Sequence, residues 1–363
     1  MAKPRLRDLG ISMGRMRPGS MNTITDVSGV AVGQTSVISD TPHVVRSGVT
    51  AIVPVAGHAW DKPVFAAVHS FNGYGEVTGA LWIEEAGLLE CPILITATQS
   101  IGAAHEAATK HAIRTLGDDD LTMPVVAETY DGWLSEFAAF AVREDEVFTA
   151  LDTASTGPVD EGNSGGGTGM ICHNFKGGTG TASRLVPFDG RDYTIGAMVQ
   201  ANYGDRADLM LDGVPVGQAL GSSEVPLCRT RGDQDGSIII VIATDAPMLP
   251  VQLKRLARRA TVGLARVGGY GHNGSGDIFL AFSTGNRIES GGTAPVGDLS
   301  MIPQRAIDPF FHAVGEAVEE AIWNALVGAE TMTGRMGRVA TAIPHEALVE
   351  TVRRYRPDLV QPT

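Results

Sequence analysis

The chain has 363 residues, 43% hydrophobic and 19% charged, so it can bury a large core and is neither disordered nor fibrous. Its 28 basic and 41 acidic residues give a net charge of −13 without a basic stripe, which argues against a nucleic-acid partner. No run approaches the roughly 18 apolar residues of a membrane span, the start MAKPRLRDLGISMG lacks an apolar leader core, and Cys91, Cys172 and Cys228 form no Cys-x-x-Cys pair; the expectation is a protein of the reducing cytoplasm, not a membrane one.

In chain order, residues 22–57 alternate β-rich runs with glycine breaks and predict strands. GEVTGALWIEEAGLLE (75–90) predicts a helix stopped by Pro92, followed by the strand ILITATQS. Residues 102–117 have helical spacing, with Gly117 as the stop; 123–133 predict a strand leading to a turn, and 133–154 a return to helix. The glycine-rich run 162–180 precedes TASRLVPFDGRDYTIGAMVQANYG (181–204), two β-rich arms around Asp189-Gly190 and so a hairpin. SIIIVIAT from Ser237 is a strand, 250–267 a helix, DIFLAFST (277–284) a strand and 309–329 a long amphipathic helix. The order lacks regular β-α alternation, repeats and long linkers, which predicts a single domain over 1–363.

The short motifs mostly carry bland readings. GNSGGGTG is not followed by Gly-Lys-Ser/Thr, and the one G-x-G-x-x-G (Gly269, Gly271, Gly274) follows a helix and precedes a strand, the reverse of a dinucleotide site. The nine histidines are scattered; His105 and His111 share a helix six residues apart, not the i, i+4 spacing of a metal pair, so neither metal nor cofactor is expected. Ser275 with Asp277 is a polar pair at a strand entry, with a plain turn as the alternative.

Ser237 presents a sharper choice. A hydroxyl is a weak nucleophile without an adjacent base, and no histidine here sits in a triad context. A serine freed as an amino terminus carries its own base, an α-amine that ordinarily titrates at about 7.7–8.0. Cutting the chain before it calls for a small upstream residue (Gly236), a mobile polar lead-in (229–235) and a rigid strand behind it, and the sequence supplies all three. The alternative is an ordinary Asp235-Gly236 hairpin.

DGSIIIVIATDAPMLPVQLKRLARRATVGLAR and GSGDIFLAFSTGN resemble the small chain of the N-terminal-serine aminopeptidases, the L-aminopeptidase/D-amidase-esterases and β-peptidyl aminopeptidases. RDLGI, NTITDVSGVAVG, VVAETYDGWL, GGGTGMICHNFKGGTGTASR, VQANYG and NALVGAETMTG extend the likeness over nearly the whole chain in the family's order. The resemblance implies a four-layer αββα sandwich, similar to N-terminal-nucleophile hydrolases but differently connected, and a self-made cut between Gly236 and Ser237 giving chains 1–236 and 237–363. It implies a nucleophile at Ser237 contacted by Ser275 and Asp277 (the acid being Glu in some relatives), an oxyanion-stabilising Asn202, Tyr130 near the same oxygen, and Glu128 for the substrate's ammonium. The implied substrates are short peptides or aminoacyl amides and esters, hydrolysed without a cofactor by a homo-oligomer, typically a tetramer. Two rival expectations are an acyltransferase of the ornithine acetyltransferase type, whose nucleophile is threonine, and an uncut, non-catalytic binding or assembly protein.

Overall fold

The computed structural model describes residues 3–55, 63–117, 123–229, 236–286, 288 and 298–361. Most of the proposed lead-in, residues 230–235, lies outside them, as do residues 56 and 57 of the first predicted strand region.

Two sheets form the centre. The first contains β1 (Ala31–Ser39), β2 (Val45–Val53), β5 (Ile93–Ala97) and β6 (Val125–Thr129), in the order β1-β2-β5-β6. The second adds β3 (Val64–Gly73), β4 (Leu88–Leu89), β9 (Gly178–Phe188), β10 (Arg191–Asn202), β11 (Ser237–Thr244) and β12 (Gly276–Ser283), in the order β4-β3-β12-β11-β10-β9. Between β6 and β9 in sequence lies the short pair β7 (Ile171–Cys172) and β8 (Phe175–Lys176). Helices α2 (Ile101–Leu116) and α3 (Glu144–Asp152) cover the first sheet; α5 (Pro250–Val267) and α6 (Asp308–Val327) cover the second.

The alternation along β11 shows why this is a four-layer sandwich. Ile238, Ile240 and Ile242 pack with Leu253, Leu256 and Val314 of the helices, whereas Ile239, Val241 and Ala243 pack with Val49, Ile93 and Val126 of the facing sheet. A strand buried on both faces reads as one continuous β-branched run, as IIIVI does. The expected αββα architecture is present.

The hairpin lies where it was predicted: Asp189 and Gly190 both have positive φ (51° and 76°), the conformation of a two-residue type I′ turn. The glycine-rich run folds into a buried turn between the sheets, where a side chain on Gly166 would begin 2.0 Å from Gln200 Oε1. It is thus a close-packing segment and not a phosphate loop.

Three expectations need correction. The helix predicted over 75–90 is only α1 (Ala80–Ala86), because Gly79 and Gly87 take the left-handed conformation at its two ends. Residues 133–154 are helical only in α3 and a short 3₁₀ turn at Phe137–Ala139. The predicted amphipathic helix, α6, is buried nearly all round, its Glu320 held by Arg184 (2.6 Å) and Arg7 (2.7 Å), so charge on this helix does not mark a solvent face. The Asp235-Gly236 turn considered above lies in part outside the described residues; within them, β11 is bordered by β10 and β12, and residues 203–229 contain no strand, only turns, a short 3₁₀ helix at Arg206–Asp208 and the short helix α4 (Val216–Ala219).

Candidate active site

Ser237 opens β11, directly opposite Asn202 on β10 and Gly276 on β12. By the alternation along β11, its side chain belongs to the face between the sheets, and it is buried there. Its Oγ donates a hydrogen bond to the carbonyl oxygen of the preceding residue, Gly236, at 2.6 Å. The Gly276 amide donates both to that carbonyl (3.2 Å) and to Ser237 Oγ (3.3 Å). One backbone N–H therefore faces the nucleophile candidate and the carbonyl it would attack.

Ser275 and Asp277 flank that amide. Ser275 Oγ donates a hydrogen bond to Asp277 Oδ1 at 2.6 Å, and both residues are buried. Burial pushes the Asp277 carboxyl up to about 6, against the opposing hydrogen bond from Ser275. The loop is clamped by Asn72 of β3, whose Nδ2 donates to the carbonyls of His272 (2.8 Å) and Ser275.

The facing sheet supplies the rest. Glu128 on β6 is buried; its Oε1 accepts the Glu76 amide (3.2 Å) and its Oε2 the Thr98 hydroxyl. Burial raises its pKa despite these bonds. A Cβ on Gly75 would lie 3.0 Å from Gly276 Cα and 3.1 Å from Glu128 Oε1, which places this carboxylate beside the Ser237 strand end. Asn202 Nδ2 donates to the Tyr130 carbonyl (3.0 Å), while its Oδ1 accepts the Ile171 amide (2.9 Å) and Arg229 Nη2 (3.1 Å). The Tyr130 ring lies across Gly132 against Phe137, with centroids 5.7 Å apart, so its bond to Asn202 runs through the backbone carbonyl and not the phenol.

All six candidate residues thus meet at one end of the two sheets, Tyr130 through its backbone carbonyl, while the Ser275 hydroxyl turns to Asp277 and the Tyr130 phenol to Gly132. Sequence reasoning missed the Gly276 amide, Thr98, Asn72 and Arg229. A backbone donor leaves no signal in residue type, and the other three act through contacts distant in sequence. Asp205, Asp208 and His272, separated in the chain, also place their ligand-type atoms within 4.8 Å of one another, a grouping that spacing could not reveal.

An αββα sandwich with a serine at the head of a central strand, held against its own upstream carbonyl, defines a serine hydrolase of the N-terminal-nucleophile type. The sequence pattern of peptidase family S58 matches residues 22–340, and the chain belongs to that family of serine aminopeptidases. It is 45% identical to the β-peptidyl aminopeptidase BapA of Sphingosinicella microcystinivorans, over 97% of this chain and 93% of that protein. Among solved structures, the Ochrobactrum anthropi L-aminopeptidase D-Ala-esterase/amidase, described as a new variant of the N-terminal-nucleophile hydrolase fold, superposes with a TM-score of 0.91 at 47% identity, covering 99% of this chain and all of that one. The PH0078 protein of Pyrococcus horikoshii OT3 gives a TM-score of 0.92 at 42% identity, covering 97% and 100% of the two chains.

Proposed function

We propose that the chain cuts itself between Gly236 and Ser237 and that the freed Ser237 hydrolyses acyl donors bearing a free amine next to the cleaved carbonyl: short peptides, aminoacyl amides and aminoacyl esters. The observation that carries this reading is the Ser237 hydroxyl, 2.6 Å from the Gly236 carbonyl oxygen, with the Gly276 amide donating to both. The substrate class rests on what the relatives' names share. One acts on β-peptides and another on L-aminoacyl and D-alanyl substrates, so the common element is the amine, and buried Glu128 is the anion to pair with it.

In the first stage Ser237 Oγ attacks the Gly236 carbonyl carbon. The oxyanion accepts the Gly276 N–H and the second N–H of Asn202, the proton lost by Oγ passes to the Ser237 nitrogen, and collapse breaks the C–N bond to leave a Gly236 ester and a free Ser237 amine. Water then hydrolyses the ester, releasing the Gly236 carboxylate. In turnover the Ser237 α-amine takes the proton from Oγ as it attacks the substrate. The amine or alcohol departs with a proton, and water releases the acyl group. Ser275 and Asp277 form an anionic network that supports the α-ammonium formed in each half-reaction, and Tyr130 acts through its backbone carbonyl, which accepts from Asn202. The chains 1–236 and 237–363 remain together and assemble as a homo-oligomer, taken as a tetramer, in the cytoplasm. Exposed Leu81 and Trp82 on α1 and Val251 and Val262 on α5 offer apolar surface for the assembly.

The test is a denaturing intact-mass time course of the purified chain and of Ser237→Ala, with hydrolysis of aminoacyl p-nitroanilides followed in parallel. Two fragments, the smaller beginning at Ser237, together with an uncut, inactive variant, are expected. An active wild-type chain that stays at 38.1 kDa, or a Ser237→Ala chain that still cuts, would overturn the reading.

A further inference from the structure

A side-chain amide can present either its oxygen or its nitrogen to a given neighbour, and only its surroundings decide which. Around Asn202 they decide strongly. Two donors, the Ile171 amide (2.9 Å) and Arg229 Nη2 (3.1 Å), face Oδ1, while the Tyr130 carbonyl (3.0 Å) takes one N–H. Turning the amide over would bring its NH₂ against the two donors and its oxygen against a carbonyl. One N–H of Asn202 is left for a developing oxyanion. Since Asn202 stands opposite Ser237 on the neighbouring strand, that N–H belongs at the reacting end of the sheet.

Arg229 is the charged member of this set, and it is anchored there. Its backbone amide donates to Asn174 Oδ1 at 2.8 Å, and the Cys228 thiol donates to the Asn174 carbonyl at 3.3 Å. The side chain is buried, and it lines a pocket with Asn174, Tyr203, Gly236, His272 and Ser275. A guanidinium on Oδ1 also polarises the amide, so its N–H becomes a stronger donor. Arg229 lies upstream of Gly236 and would stay with the large chain, within reach of Asn202, after a cut.

We infer that Arg229 is a positioning residue, whose guanidinium fixes and polarises the Asn202 amide so that its free N–H meets the oxyanion in both self-cleavage and turnover. The inference rests on the proposed function, and it adds a residue that acts through Asn202.

The experiment is a double-mutant cycle of Arg229→Ala and Asn202→Ala in the full chain, with Arg229→Lys and Arg229→Gln as conservative variants. Cleavage is read by intact mass over time, and turnover by aminoacyl p-nitroanilide hydrolysis normalised to the 237–363 fragment. Deleting an oxyanion donor costs about 10²–10³ in kcat, and misorienting one should cost a part of that. Arg229→Ala is expected to lower kcat and the cleavage rate by roughly tenfold or more, with KM little changed. Lysine, which keeps a charged donor, should recover more than glutamine, and the double variant should be no slower than Asn202→Ala alone. The inference fails if the two effects multiply, if the change falls on KM alone, or if Arg229→Ala cleaves and turns over at wild-type rates. Should Arg229→Ala not fold, Arg229→Lys and Arg229→Gln, each with and without Asn202→Ala, carry the same comparison. A Ser237→Ala chain that still cuts would defeat the proposed function itself; a dead Ser237→Ala beside a normal Arg229→Ala defeats only this inference.

Discussion

Two buried carboxyls, Asp277 and Glu128, set the pH behaviour of the site. Asp277 is raised to about 6 and Glu128 upward, in both cases chiefly by burial. Each must be ionised to support an ammonium, so kcat/KM should fall as pH drops from 7 to 5; a flat profile over that range would remove both from their roles. The same shift has a cost in stability. A carboxyl raised on folding favours the protonated folded state, so its stabilisation is present at low pH and is lost as pH rises through the folded value. For Asp277 the ionised form costs on the order of 3 kcal/mol, from the ordinary value to about 6. Asp277→Asn should therefore be inactive yet raise Tm, with a larger gain at pH 8 than at pH 5; thermal unfolding at the two values measures it.

The strands and helices act on the site through register and close approach. β9 passes under α6 so tightly that a Cβ on Gly180 would lie 2.0 Å from the Ala321 carbonyl and 2.5 Å from the Ala325 amide. Gly180→Ala should cost several kcal/mol and leave little soluble protein, because backbone cannot yield there as a side-chain tip can. Gly190, at a turn with positive φ and nothing within 4 Å, should cost only about 1–2 kcal/mol as alanine. Chemical denaturation of the two variants separates the mechanisms. At this scale β11, β12, α2, α5 and the Asp189-Gly190 hairpin were legible in sequence, since periodicity and turn chemistry are local. The length of α1 and the all-round burial of α6 were not, since Gly79 and Gly87 act by backbone conformation and Glu320 is satisfied by Arg7 and Arg184 from elsewhere in the chain.

Across the whole molecule, the strand order β4-β3-β12-β11-β10-β9 sets the strands of 237–363 in the middle of the second sheet, with strands of 1–236 on both sides. α6, from the same C-terminal part, covers β9 and β10. Once cut, the two chains should co-elute on native size exclusion and part only in denaturant, because separating them breaks ladders on both edges of the β12-β11 pair. Recovery of free 237–363 fragment under native conditions would contradict this. The sequence alone determined the αββα expectation, the apolar β11 strand and the small Gly236 before Ser237, because these are written in residue type, periodicity and family motif. Only the tertiary structure decided that Asn202 stands opposite Ser237, that Glu128 arrives from the facing sheet, and that Arg229 and the Gly276 amide complete the site. Those relations join residues far apart in the chain, and hydrogen-bond geometry between two sheets exists only after both have folded.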